Sequence, residues 1–295
     1  PGRPAVRGRN QLVLDLSRRD VCDYLVEAMN GVLDMAQIEY VKWDMNRSLA
    51  ETWSGRLDRE HQGEVAHRYI LGLYYVMDQV ILKHPEVLFC VCCGGGGRYD
   101  AAMLYYQPQI WCSDNTDAVN RLKIQYGTSF AYPVSSMEAH VSVCPNHQTG
   151  RVTPLATRGI VAMGGMFGFE LDPTRMSPEE KAECRDQIQF YKKHYRLITE
   201  GDYYRLTNPY ENRYFTAWQQ VSRDKKKSLV SLVVTEKEGN DAQRFVKLKG
   251  LEAEQFYQIE GWKGKFSGRV LMSAGIPVPA ELNQYGGIQL LLKMV

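Results

Sequence analysis

The sequence predicts an α/β fold: part of a (β/α)8 TIM barrel, about strands 4–8, followed by a small antiparallel β-sandwich. Three observations carry this. Up to about residue 200, short apolar runs alternate with helical patterns, and the runs VLFCVCC and QIWC are continuous rather than alternating, as in a parallel sheet covered by helices. Beyond Gly201 the texture changes to strand-like segments separated by turns such as KEGND and NQYGG. The first region holds only about five strands, fewer than the eight of a closed barrel, so three are expected upstream of Pro1. The domains expected are thus 1–201, the C-terminal part of a barrel, and 202–295, an antiparallel β domain.

The elements follow in order. QLVLDLS leads into a helix from about Arg18 to Met35, with Ser17 as its N-cap. IEYVKWD is a strand. An amphipathic helix spans roughly Gly63–Lys83 and stops before Pro85. VLFCVCC is a buried strand ending in four glycines, and QIWCSD is a short one. A helix runs from near Thr116 to before Gly127. SFAYPV and IVAMGGMFGF read as further strands, and a charged helix occupies about Pro178–Thr199. In the second domain YYRLT, TAWQQVS, SLVSLVVTE, RFVKLKG, EQFYQI, GRVLMSAG and IQLLLKMV all read as strands.

Composition narrows the function. The 295 residues carry a net charge of +2, which gives no electrostatic case for nucleic acid or a membrane surface. No stretch approaches the roughly 20 apolar residues of a membrane-spanning helix. Seven cysteines without regular spacing support neither a zinc site nor a disulfide framework, and suit a cytoplasmic protein. No targeting signal is legible, and a start at proline suggests a sequence that begins part-way.

Three segments carry chemistry. In IEYVKWDMNR, strand alternation points Lys42 and Asp44 the same way and Trp43 the other. A cation beside a carboxylate favours its ionised form, as a nucleophile at the C-terminal end of a barrel strand requires; the plain alternative is a salt bridge. In QIWCSDNTDAVNRL, Asp117 and Arg121 have the i, i+4 spacing of a surface ion pair, whereas Asp114 ends the strand and is the better catalytic candidate. In FCVCCGGGGRYD, four glycines remove every side chain from one loop and suit backbone packed against a ligand; Arg98 excludes a Walker phosphate loop. Two strand-end carboxylates match the retaining glycosidase pattern, whose carboxyl groups lie about 5–5.5 Å apart. The rival from these residues is a divalent-metal hydrolase using Asp44, Asp114, Asp117 and His140, against which no HxH or HExxH stands in the sequence. His140 and His147 read as loop or supporting hydrogen-bonders.

The segments GRNQLVLDLSR (8–18), YVKWDMNRSL (40–49), CCGGGGRYD (92–100), PQIWCSDNTDAVNRLKIQYGTSFAYP (108–133) and PNHQTGRVTPLATRG (145–159) closely resemble bacterial α-galactosidases of glycoside hydrolase family 36. The resemblance implies hydrolysis of terminal α-linked galactose, of the melibiose and raffinose type, by double displacement without metal or cofactor. It implies Asp44 as nucleophile and Asp114 as acid/base, with Arg9 and Lys42 on galactose hydroxyls and Cys92 and Gly95 near the 2-hydroxyl. Cys93 departs from the Ser common in relatives, and its side chain is expected to point away from the sugar. Family members are homo-oligomers, commonly tetramers, and carry an N-terminal β-sandwich and first barrel strands that are not in this sequence. Residues 1–295 alone are therefore expected to be inactive. The alternatives are an α-galactosyl-transferring enzyme and a non-catalytic sugar-binding or structural remnant.

Overall fold

The structure is a computed structural model that describes residues 7, 8, 10–47, 49–240 and 242–295. The chain divides into two compact units, Pro1–Asp114 and Asn115–Val295.

The first unit alternates helix and strand: α1 (Arg19–Met35), β1 (Tyr40–Asp44), α2 (Val65–Val80), β2 (Leu88–Cys92), α3 (Ala101–Tyr106) and β3 (Gln109–Trp111). Its strands are parallel in the order β1-β2-β3, with Lys42 opposite Cys90 and Asp44 opposite Cys92. Alternation divides each strand. Val41, Trp43, Phe89, Val91 and Ile110 join Leu73, Val76 and Met77 of α2 in one apolar core. Lys42, Asp44, Cys90 and Cys92 are left on the other face. Ser17 does not cap α1: Arg18 holds that position, and the Ser17 hydroxyl donates to Asp15 Oδ1 at 2.5 Å. A competing local hydrogen bond has taken the capping group.

The second unit continues with α4 (Ala118–Thr128), β4 (Met137–Ser142), α5 (Leu155–Ala162), β5 (Met166–Glu170) and α6 (Pro178–Glu200). β4 and β5 are parallel. Two expectations fail here. SFAYPV is not a strand; it forms turns after α4 that run into a single 3-10 turn. The strand is MEAHVS instead, with Ala139 and Val141 packed on Leu155 and Ala162 while Glu138, His140 and Ser142 alternate with them. IVAMGGMFGF is likewise split, Ile160–Ala162 ending α5 and only Met166–Phe169 entering β5. α6 starts as its sequence asks: Ser177 and Glu180 form a reciprocal capping box and Pro178 opens the helix.

From residue 202 the strands are antiparallel: β6 (Asp202–Arg205), β7 (Phe215–Val221), β8 (Lys227–Val234), β9 (Phe245–Val246), β10 (Phe256–Ile259), β11 (Phe266–Ser267), the helix α7 (Gly268–Ser273), β12 (Ile276–Pro277) and β13 (Gly287–Met294). GRVLMSAG is thus a helix, not a strand: the Ser267 hydroxyl accepts the Val270 N–H and starts it. A six-stranded sheet, β11-β10-β13-β8-β7-β6, faces the two-stranded ribbon β12-β9 across a core that includes Val230, Leu232, Val246, Ile259, Leu271 and Ile276. The sheet's opposite face packs on α5 and α6 through Trp218 and Val233 against Ile160 and Val161, and Leu229 and Leu291 against Tyr191 and Ile198. The architecture is therefore part of a (β/α)8 barrel followed by an antiparallel β domain. Among the described residues no helix is long and apolar enough to cross a membrane.

Candidate active site

The first unit gathers most of the expected site residues at the C-terminal ends of its strands. Lys42 and Asp44 are both exposed on the face of β1 opposite the core. No ion pair joins them among the described residues; the Lys42 ammonium instead lies 5.2 Å from the centre of the Trp111 ring. Asp44 is held by Asn46, whose Nδ2 donates to Asp44 Oδ2 at 2.5 Å while its Oδ1 accepts the Gly94 N–H at 3.2 Å. Cys92 sits opposite Asp44 in the sheet register, where the carboxylate's negative charge acts on its thiol. Burial, with Asp44 adding to it, pushes the Cys92 thiol up to about 11. At neutral pH it is a protonated donor.

The glycine loop is built for close approach. Gly94 and Gly95 have φ of +54° and +83°. A Cβ on Gly95 would lie 2.7 Å from Ser113 Cα and 2.9 Å from the Asp114 nitrogen, and one on Gly96 would lie 2.9 Å from the Cys112 oxygen. The loop therefore rests on the backbone that presents Asp114. Arg98 staples the strand ends from below, its Nη2 donating to Cys92 O at 2.8 Å and Trp43 O at 3.3 Å. Asp114 is exposed, and the Trp111 indole N–H donates to its Oδ1 at 3.1 Å. Cys93 lies on the other side, beside Gly97 and Tyr69 of the core. Arg9 lies outside the described residues.

The remaining candidates are committed elsewhere in the second unit. Asp117 is 1% exposed, caps α4 through the Asn120 N–H at 2.9 Å, accepts the Thr149 hydroxyl at 2.6 Å and pairs with Arg151. The surface ion pair expected with Arg121 is thus replaced by a buried one with Arg151. Arg121 is itself buried, donating to Glu138 O at 2.7 Å. His140 lies between Glu138 at 2.9 Å and Glu170 at 3.2 Å, on a strand rather than a loop. Among the described residues no group of three His, Cys, Asp or Glu side chains is arranged to hold a metal ion.

The sequence reading missed Asn46, Arg98 and Trp111. Asn46 follows Asp44 by two residues and Trp111 precedes Asp114 by three, so proximity was visible; which atoms they donate to was not. Two exposed carboxylates, Asp44 at the end of β1 and Asp114 three residues beyond β3, held by the Asn46 amide and the Trp111 indole, suit a ligand rich in hydroxyl groups.

Residues 1–201 match the melibiase family model, and residues 215–292 match the glycosyl hydrolase family 36 C-terminal domain. The chain belongs to the melibiase family. Among family members, it is 52% identical over 295 residues to α-galactosidase AgaA of Geobacillus stearothermophilus, covering all of this chain and 40% of that protein. It is 50% identical over 288 residues to the bifunctional α-galactosidase/sucrose kinase AgaSK of Mediterraneibacter gnavus, covering 98% of this chain and 30% of that one. The crystal structure of AgaA superposes with a TM-score of 0.97 at 52% identity, over the whole of this chain and 41% of that one. A variant of AgaA solved in complex with raffinose superposes equally well, with a TM-score of 0.97 at 51% identity over the same shares. This melibiase chain therefore spans well under half the length of the relatives it matches.

Proposed function

We propose that this chain is the acid/base- and nucleophile-bearing portion of a retaining α-galactosidase. Asp44 attacks the anomeric carbon of a terminal α-linked galactose while Asp114 gives its proton to the departing glycosidic oxygen. Asp114, now a carboxylate, takes a proton from water, and the water oxygen displaces Asp44 with the sugar's configuration retained. Lys42 and Arg9 bind galactose hydroxyls; Cys92 and Gly95 crowd the 2-position. The substrates are galactosides of the melibiose and raffinose type, in keeping with the raffinose bound to the AgaA variant. Residues 1–201 form the catalytic part and 202–295 the C-terminal domain. Residues 1–295 alone are inactive. Seven cysteines outside any disulfide accord with a cytoplasmic location.

The observation that carries this reading is the pair of exposed strand-end carboxylates, Asp44 and Asp114, with the Cys92 and Gly95 strand and loop between them. The test uses residues 1–295 joined to the upstream portion of AgaA. Asp44→Gly abolishes hydrolysis, and azide or formate restores turnover by taking the nucleophile's place. Asp114→Ala slows poor leaving groups far more than activated aryl galactosides, because only poor ones need the proton. If Asp117→Ala shows that dependence while Asp114→Ala does not, the acid/base assignment is wrong. Aryl N-acetylgalactosaminides react very poorly; kcat/KM equal to that of the aryl galactosides refutes the 2-position pocket.

A further inference from the structure

We infer that the contact between α6 and the C-terminal sheet is an acid-sensitive joint: protonation of His194 sets a new cation against Lys193, Lys227 and Lys293 and loosens the helix from the sheet. His194 follows Tyr191 by three residues and precedes Ile198 by four, so it lies on the side of α6 that packs on Leu229 and Leu291. It is half-buried there, with its ring centre 4.6 Å from that of Phe190. Strand parity brings two lysines to the same place. Lys227 shares a face of β8 with Leu229, and Lys293 shares a face of β13 with Leu291. The two lysines stand directly opposite each other in the register. Like charges so placed are destabilising by themselves.

The surroundings do little to compensate a further positive charge. On α6 the residues three and four positions from His194 are Phe190, Tyr191, Leu197 and Ile198, none of them charged. β7 and the 3-10 turn at Val134–Ser136 carry no charged residue, and the one charged residue of α5, Arg158, is tied to Ser142 O and Thr153 O. The carboxylate that acts on His194 is Glu260, which is exposed and already pairs with Lys293 at 3.5 Å. Burial, with Lys193, Lys227 and Lys293 adding to it, holds the His194 pKa below the ordinary imidazole range, and Glu260 opposes them only in part. At neutral pH the ring is therefore uncharged and the joint is closed. As pH falls through the ordinary imidazole value of about 6.5, the loosened helix takes up the proton more readily than the packed one. The contact's contribution to stability declines from there until the packed ring is protonated too.

The test uses residues 1–295 joined to the upstream portion of AgaA. Backbone hydrogen exchange is followed by mass spectrometry at pH 7.5 and pH 5.5, with rates corrected for the intrinsic effect of pH. In the unaltered protein, acid is expected to raise exchange about threefold or more across Phe190–Ile198 of α6 and across β8. His194→Gln keeps a polar side chain that takes up no proton in this range, and is expected to hold the rise below about 1.5-fold. Lys227→Gln removes one cation and is expected to fall between the two. Because Lys227 is exposed, that variant also decides the matter if His194→Gln fails to fold. Exchange in α6 that does not rise with acid, or that rises as much in either variant as in the unaltered protein, overturns the inference.

Discussion

Asn46 connects Asp44 to the glycine loop, giving its amide N–H to Asp44 Oδ2 and taking the Gly94 N–H on its amide oxygen. Only one orientation of the amide satisfies both partners, so the donor side faces the carboxylate. Hydrogen bonds to charged groups contribute about 1.5–3 kcal/mol, and the exposure of this one sets it at the lower end. Asn46→Ala is expected to lower kcat/KM on an aryl galactoside about tenfold. Asn46→Asp, which sets a second carboxylate against Asp44, is expected to lose more. Steady-state kinetics of the two variants check the order.

The glycine loop gives a sharper contrast. Gly94 has φ +54° but nothing within 4 Å of a would-be Cβ, whereas at Gly95 the new atom would meet the Ser113 and Asp114 backbone. Gly94→Ala should cost only the left-handed strain of about 1–2 kcal/mol. Gly95→Ala must displace the 112–114 segment and is expected to abolish turnover as well. Thermal melts and activity of both variants separate conformational strain from steric collision.

Asp117 and Asp114 stand three residues apart, yet their environments predict opposite phenotypes. Asp117 is buried against Arg151 and caps α4. Its removal strands a half-buried cation and two further donors, the Asn120 N–H and the Thr149 hydroxyl, which is expected to cost about 2–4 kcal/mol of stability. Asp117→Ala should lower Tm while keeping the leaving-group dependence of whatever protein remains folded. Calorimetry and the two-substrate comparison test this together.

The physics that made some elements legible explains why others were not. KWD on β1 showed its faces because Val41 and Trp43 are apolar and their neighbours charged. The charged helix expected at about Pro178–Thr199 matches α6, whose start is fixed locally by the Ser177–Glu180 capping box. β4 was hidden by its polar face: Glu138, His140 and Ser142 masked the alternation of Met137, Ala139 and Val141, and SFAYPV drew the eye instead. There Pro133 lacks a donor for a ladder and Phe130 is exposed, which burial alone could have revealed. GRVLMSAG has strand-like composition, but Ser267 starts a helix that tertiary packing of Leu271 completes. At the site, Asp44, Lys42 and Cys92 could be placed by strand parity. Asn46 and Trp111 act through atom-to-atom hydrogen bonds that no residue spacing specifies.

The Cys92 thiol supplies a pH prediction. Burial raises it to about 11, so the neutral thiol is the form the fold favours. Its contribution to stability is complete below the ordinary thiol range near 8.5 and is lost as pH rises through about 11. Alkylation of Cys92 by iodoacetamide, followed by peptide mass spectrometry, should therefore keep rising from pH 8 to beyond pH 10. An ordinary thiol levels off about a unit above 8.5. A plateau by pH 9.5 would show a thiol that burial does not restrain.

The last prediction concerns residues 1–295 as an isolated polypeptide. Among the described residues β1 is hydrogen-bonded to β2 on one edge and to no strand on the other. Leu12, Leu14 and Tyr40 are exposed in the same unit. An open strand edge beside exposed apolar side chains is a template for association with other chains. The proposed mechanism also asks Asp44 and Asp114 to hold their separation, and among the described residues β1 has no second strand neighbour to fix its position. The isolated polypeptide is expected to aggregate and to show no turnover of an aryl α-galactoside, with both aspartates intact. Joining it to the upstream portion of AgaA, whose relatedness at 52% identity extends over the whole chain, should restore a monodisperse and active protein. Size exclusion and an aryl galactoside assay on the two proteins decide it. An isolated polypeptide that elutes as a discrete species and matches the joined protein in kcat/KM would mean that β1 needs no neighbour on its open edge.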